Sequence, residues 1–288
     1  MVRTDADTLS SVRNAARLLK EFTAAERELG VSELARRLDL GKSTVYRLLS
    51  TLTSERLLER GPGGRYRLGI AAHALGLAVS ARIDLHEASV ATLAQLRNIT
   101  GETAQIGVLD ELDVVHVERL ESGHSLRIFS RVGHRLPAHT TGTGKVLLAA
   151  LAPDELHARL AARPLVRRTP FTIVEPAALM TELAKVAARG WAENVEESEL
   201  GVASVAAPIR DHAGTVTAAV SVAGPVARMH RGALRRFSGL VVEAGETISR
   251  RLGYRQPSAT VDADRRSAVL ESFRDLLGRL DVERADRS

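Results

Sequence analysis

Apolar residues recur every three or four positions at Val12, Ala15, Ala16, Leu18, Leu19 and Phe22, a spacing that predicts a first helix over 11–24. A second stripe, Leu34, Ala35 and Leu38, predicts a short helix capped at Ser32, and Val45, Leu48, Leu49 and Leu52 mark the inward side of a third. Between these two helices, residues 39–42 form a turn in which Gly41 is expected to relieve the backbone. Leu57 and Leu58 then lead into ERGPGGRYRLG, a Gly-rich hairpin whose Tyr66 and Leu68 should pack down while Arg65 and Arg67 point out. Three helices followed by a hairpin predict a winged helix-turn-helix unit over residues 1–69.

Residues 70–98 are Ala/Leu-rich with Leu75, Val79, Leu85, Leu93 and Leu96 as anchors, the pattern of a linker helix that can also pack on a second copy of itself. Alternating or apolar runs then predict strands at 103–110, 113–119, 125–132, 191–198, 202–209 and 215–224, with Gly214 separating the last two and Pro225 ending the second. Helical patterns occupy 143–151, 154–161, 176–189 and 230–252. Hairpins with long crossovers predict an α+β unit over 99–255 built on an antiparallel sheet, not a doubly wound one. In the tail, 256–288, a polar start precedes Val269, Phe273, Leu276, Leu277 and Leu280, so that disorder and a docked helix both stay open.

Composition narrows the chemistry. With 288 residues and 44% hydrophobic content the chain can bury more than one core. The formal charge of +5 comes from 40 basic and 35 acidic residues, too even a balance to establish a polyanionic partner by itself. Its location says more: Val31 to Arg67 holds eight basic residues against four acidic ones. The chain contains no cysteine, which excludes disulfides, thiolate catalysis and Cys-based metal sites. The first residues lack the apolar run of a signal peptide and no uncharged apolar stretch reaches membrane-spanning length, so a cytoplasmic, non-membrane protein is expected.

On the third helix Thr44, Arg47 and Thr51 share the face opposite the apolar stripe. Arg47 has the forked donors to meet guanine O6 and N7, and Thr44 and Thr51 suit base edges or phosphate. Ser43 suits capping of the first amides, which can also receive a phosphate, while Lys42, Arg60 and Arg65 suit the sugar-phosphate backbone. The expected partner is duplex DNA.

The chain resembles the IclR-type transcriptional regulators across roughly residues 11–255. SVRNAARLLKEF, VSELARRLDLGKSTVYRLLSTLTSERLL and RYRLG carry the resemblance in the first part, and GHRLPAHTTGTGKVLLA, GWAENVEESELGVASVAAPI and AAVSVAGP in the second. It implies a C-terminal effector domain with a GAF-like sheet, and homodimers or dimers of dimers on operator DNA. It also implies control, usually repression, by small and usually acidic metabolites, here an organic or aromatic acid.

HTTGTGK at 139–145 departs from a phosphate-binding loop: His139 stands where the first glycine is required and Val146 where the magnesium-binding hydroxyl is. It reads instead as a flexible loop entering a helix near Gly144, with Thr140, Thr141 and Thr143 supplying hydroxyls and backbone amides free for an anion. The resemblance places this loop, with Gly142, beside an effector pocket, and carries pocket positions onto Asn194, Ser204, Ser221 and Ala223. Relatives often have Asp at the first of these and Cys at the second, and those sensing very small oxoacids can have Ser in place of Ala223. These departures argue against transferring glyoxylate or pyruvate and leave room for a larger or partly apolar ligand. His116, His124, His134 and His139 lack metal-ligand spacing, and Glu196, Glu197 and Glu199 read as a solvated acidic turn in preference to a cation site. No Ser/His/acid group assembles from the sequence, so no enzyme, cofactor or metal is expected. The rival reading is a DNA-binding structural or interaction protein without a small ligand.

Overall fold

A computed structural model describes residues 9–22, 28–75, 85–128 and 131–255. The chain divides into two compact units, Met1–Asp84 and Leu85–Ser288. The tail 256–288 and positions 76–84, with the anchor Val79, lie outside the described residues.

In the first unit, helices α1 (Ser10–Glu21), α2 (Val31–Leu38) and α3 (Lys42–Ser54) are followed by strands β1 (Leu58–Arg60) and β2 (Tyr66–Leu68). Their stripes meet in one core containing Leu18, Phe22, Leu34, Leu38, Val45, Leu49, Leu52, Leu58 and Tyr66. The antiparallel β1–β2 hairpin is pinned to the loop before α2, where Leu29 and Tyr66 exchange backbone hydrogen bonds of 3.0 and 2.9 Å.

Four local expectations are corrected here. Helix α2 begins at Val31 behind Gly30, two residues too early for Ser32 to cap it. Likewise α3 starts at Lys42 behind Gly41 with no side-chain cap, so Ser43 lies inside its first turn. The left-handed corner of the turn is Asp39, with φ 55°, whereas Gly41 is extended; a short polar side chain tolerates that region, which frees Gly41 from the role. Leu68 is 41% exposed, because only Tyr66 of β2 turns into the core.

The second unit is built on a six-stranded antiparallel sheet of order β5-β4-β3-β8-β7-β6. Its strands are β3 (Thr103–Asp110), β4 (Asp113–Leu120), β5 (Arg135–Pro137), β6 (Ala192–Val195), β7 (Val202–Arg210) and β8 (Val216–Pro225). One face, carrying Ala104, Ile106, Val205, Ile209, Val220 and Val222, is covered by α4 (Leu85–Thr100) and a last helix, here α8 (Arg231–Arg251). The other face receives α5 (Gly142–Leu148), α6 (Pro153–Ala162) and α7 (Pro176–Arg189), packed over Val114, Ala192, Ala206 and Ala219.

Leu85, Leu93 and Leu96, read as anchors of a linker, are buried in the core between α4 and α8, and Arg251 bonds the Ala88 carbonyl at 2.9 Å. Leu75 is exposed. The strand expected at 125–132 is absent among the described residues there, and the edge strand is β5 instead. Leu126 and Val132 are exposed, and the carbonyls of Leu126 and Ile128 accept from Arg228 and Arg119 in place of a ladder. Alternation alone does not make a strand where no surface exists to bury its apolar side.

Candidate functional site

On α3, Val45, Leu49 and Leu52 are buried while Lys42, Ser43, Thr44, Arg47 and Thr51 are exposed. Thr51 donates its hydroxyl to the Arg47 carbonyl at 3.0 Å, a local bond that leaves the Arg47 guanidinium unaffected. Tyr46, 54% exposed on the same helix, belongs to this surface and was missed by the sequence reading. Its signal was an aromatic ring standing off the apolar stripe. Of the hairpin arginines, Arg60 lies over the Tyr66 ring at 6.0 Å. Arg65 bonds the Glu28 carbonyl at 2.6 Å and Glu33 at 3.2 Å, so it braces the hairpin against α2.

In the second unit the segment expected as a flexible loop is a buried corner. A 3-10 turn over Ala138–Thr140 runs into α5, and every residue from Ala138 to Ala149 is buried. Thr140 donates to the Pro137 carbonyl at 2.8 Å, and Thr141 caps α5 by accepting from the Gly144 amide at 2.9 Å. Gly144 is required here, since a Cβ would lie 2.1 Å from the Ala138 carbonyl oxygen. The start of α5 lies directly on the sheet: a Cβ on Gly142 would meet Ser204 Oγ at 3.2 Å, and one on Gly107 would meet Thr143 Cγ2 at 2.9 Å.

Strand register places the remaining candidates beneath it. Thr103, Ala223, Ser204 and Asn194 form one row across β3, β8, β7 and β6. Two residues along, Arg119, Gln105, Ser221 and Ala206 form the next, and His116 and Gly107 begin a third. Side chains two apart on a strand share a face, so these rows form one surface. Ser204 and Ser221 are buried, and Ser221 Oγ has no hydrogen-bond partner. Asn194 is engaged within its own turn, accepting from the Glu197 amide at 2.8 Å and donating to Ser198 Oγ at 3.1 Å.

The acidic turn is not fully solvated. Glu197 is buried and its Oε1 accepts from Lys145 Nζ at 2.6 Å, across the start of α5. Burial pushes the Glu197 carboxyl above its usual range, opposed by the Lys145 charge. Among the described residues no group of His, Asp and Glu is arranged to hold a metal, and no helix is long and apolar enough to cross a membrane.

The family model for the bacterial transcriptional regulator IclR C-terminal domain matches residues 77–250, and that for the IclR helix-turn-helix domain matches 11–62. The chain belongs to the IclR family. The HTH-type transcriptional regulator XynR of Escherichia coli K12 is 35% identical over 247 residues, 85% of this chain and 98% of XynR. An IclR transcriptional regulator from Silicibacter sp. TM1040 superposes with a TM-score of 0.77 at 32% identity, covering 86% of this chain and 98% of that one. An IclR homologue from Microbacterium hydrocarbonoxydans, solved in complex with 4-hydroxybenzoate, superposes with a TM-score of 0.75 at 29% identity, covering 84% and 99%. IclR-family proteins are DNA-binding regulators, not enzymes, and this chain is one of them. Within that frame, its first unit is the DNA-binding unit and its second the effector unit.

Sequence reasoning missed the effector unit's Gln105, His116 and Arg119, all on the face beneath α5. Gln105 and His116 are 5% and 2% exposed, and the Arg119 side chain 3%. Burial, helped by the nearby Arg119 charge, pulls the His116 imidazole down from 6.5 to about 4, so it is neutral at physiological pH.

Proposed function

We propose that this protein is an effector-controlled repressor that binds double-stranded operator DNA as a homodimer or dimer of dimers. The observation that carries the DNA half is the exposed face of α3, where Lys42, Ser43, Thr44, Arg47 and Thr51 stand opposite the buried Val45, Leu49 and Leu52. Such a helix fits the major groove, with Arg47 reading guanine and Lys42 and Arg60 holding phosphates. Arg65 contributes by fixing the hairpin, and its remaining guanidinium surface is available to the backbone. A single short helix reads few bases, which favours paired protomers on a two-fold site.

The effector half rests on the buried surface beneath α5, where Thr140, Thr141, Gly142, Thr143, Asn194, Ser204 and Ser221 converge in a GAF-like domain. Thr140, Thr141 and Asn194 are engaged in local hydrogen bonds and shape the site, whereas Ser204 and Ser221 supply hydroxyls. The effector is a small organic or aromatic acid, a class supported by the aromatic acid bound to the Microbacterium relative. It acts by binding one arrangement of the protein more tightly than another.

Enrichment of a random duplex pool on the purified protein, followed by fluorescence anisotropy with and without organic acids including 4-hydroxybenzoate, tests this reading. A pseudo-palindromic consensus bound by two or four protomers and released by an acid is expected. Enrichment of no sequence would overturn the operator reading. A consensus that no small molecule alters would leave a DNA-binding protein without an effector.

A further inference from the structure

Five buried side-chain polar atoms among the described residues have no hydrogen-bond partner, and three of them share one patch of the sheet: His116 Nδ1, Arg119 Nε and Ser221 Oγ. The others are Thr53 Oγ1 in the first unit and Glu197 Oε2 at the edge of the same site. Buried donors and acceptors are nearly always paired, so a cluster of orphans at one place marks either strain or a missing partner. Register sets their spacing. Arg119 and Ser221 both pair with Gln105, from opposite sides, and His116 pairs with the adjoining Gly107. Adjacent strands lie about 5 Å apart, so Arg119 and Ser221, with β3 between them, are about 10 Å apart at the backbone, the length of a small molecule, and His116 lies on the Arg119 strand.

Their chemistry differs from end to end. Arg119 donates through Nη1 to Gln105 at 2.9 Å and through Nη2 to the Ile128 carbonyl at 2.9 Å. Both bonds hold the guanidinium in place and neither brings it a negative charge. Its nearest carboxylate, Glu121, is half-exposed and 3.9 Å from Nε. This deeply buried guanidinium has in Glu121 a long, half-exposed ion pair and no hydrogen-bonded carboxylate, and planar forked donors are suited to carboxylate. Across β3 Ser221 offers a hydroxyl, while on the Arg119 strand the imidazole of His116, whose Nδ1 lies beside Gly107, offers one donor and one acceptor while neutral. The Ser221 end suits an uncharged oxygen, which accepts as a carbonyl and does both as a hydroxyl.

We propose that the effector is a carboxylate bearing a second, uncharged oxygen: its carboxylate binds Arg119 Nε, beside His116 on β4, and its other oxygen is held by Ser221 on β8. This rests on the effector-controlled reading above and assigns its polarity, with β4 and β3 taking the charged end and β8 the neutral oxygen. Gln105 is a positioning residue that aims Arg119. Ser204 and Asn194, on β7 and β6, lie beyond the Ser221 end of the ligand.

Thermal denaturation of the full chain at constant ionic strength tests the assignment with two matched triads: lactate, propionate and methyl lactate, then 4-hydroxyphenylacetate, phenylacetate and methyl 4-hydroxyphenylacetate. In at least one triad the hydroxy acid should stabilise saturably. The acid lacking the hydroxyl should bind about tenfold more weakly and the ester not at all. Arg119→Met should abolish the shift and Ser221→Ala should weaken it about tenfold while equalising hydroxy and deoxy acids. If Arg119→Met does not fold, Gln105→Leu and Ser221→Ala carry the test, the first by weakening both acids alike. Equal binding of ester and acid, or an acid response unchanged in these variants, overturns the carboxylate anchor. Operator release by the ester would then keep the effector reading while discarding the polarity, and no response to any of the six compounds overturns the proposed ligand class.

Discussion

Two polar surfaces of this molecule obey opposite rules. On α3 the polar side chains are exposed, so water satisfies Lys42, Arg47 and Thr44 until a partner arrives, and the fold is indifferent to their being unused. On the sheet beneath α5 the polar side chains are buried, and unpaired groups such as Ser221 Oγ and His116 Nδ1 burden the folded state. The difference teaches that substitutions on the first surface should change binding and little else. On the second, each change acts on stability and on ligand response together.

The sharpest contrast is Lys145→Met, which strands the buried Glu197 charge and should destabilise the effector unit by about 3–5 kcal/mol in urea unfolding. Adding Glu197→Leu should restore most of that loss; a double variant as weak as the single one would show that the pair is not the cause. Gly144→Ala should follow at about 3 kcal/mol, because the Ala138 carbonyl leaves no space for a Cβ. A wild-type urea midpoint would mean that α5 can lift from its corner.

His116 should leave an acid-side signature of about 3 kcal/mol. Its folded pKa, about 4, lies below the unfolded value near 6.5, so the unfolded chain binds the extra proton as pH falls and stability declines between those values. Above 6.5 the contribution is fully present. Glu197, with its raised folded pKa, has the opposite slope, so the signature is the difference between wild type and His116→Gln measured from pH 7 to 4. Parallel profiles would place the proton elsewhere. The smallest effect, about 1–3 kcal/mol, belongs to Arg47→Ala, and it should appear as lost discrimination between specific and random duplexes with unchanged thermal stability. Lys42→Ala should instead weaken both duplexes evenly.

The first unit was the more legible in the sequence. Its helices obey one rule, apolar inside and polar outside, and Val45, Leu49 and Leu52 stand apart from Lys42, Thr44 and Arg47 in the text as they do in space. Its errors were local: at caps and turns Ser32 and Gly41 yielded to Gly30 and Asp39, and in the hairpin Leu68 proved exposed. In the second unit the strand positions were readable but the polar face was not. In TAQIGVLD the alternation of Thr103, Gln105 and Gly107 with Ala104, Ile106 and Val108 has the form of a strand with one wet side, yet both sides are covered. Only the packing of α5 onto that face reveals it, and nothing local in the chain announces that a helix some forty residues later will do so. The Lys145–Glu197 pair was hidden for the same reason, its members being 52 positions apart.

The small residues set among these polar groups have an evolutionary consequence. Ala206, Ala219 and Ala223 sit on β7 and β8, away from Arg119 and His116 on β4. Ala206 and Ala219 are packed under α5–α7, so Ala223 is the position of the three at which a methyl or a hydroxyl would act on the ligand face, away from its cationic end. On the ligand polarity proposed above, descendants of this protein can exchange one acid for another by drift at Ala223, and lose acids altogether by changing the arginine.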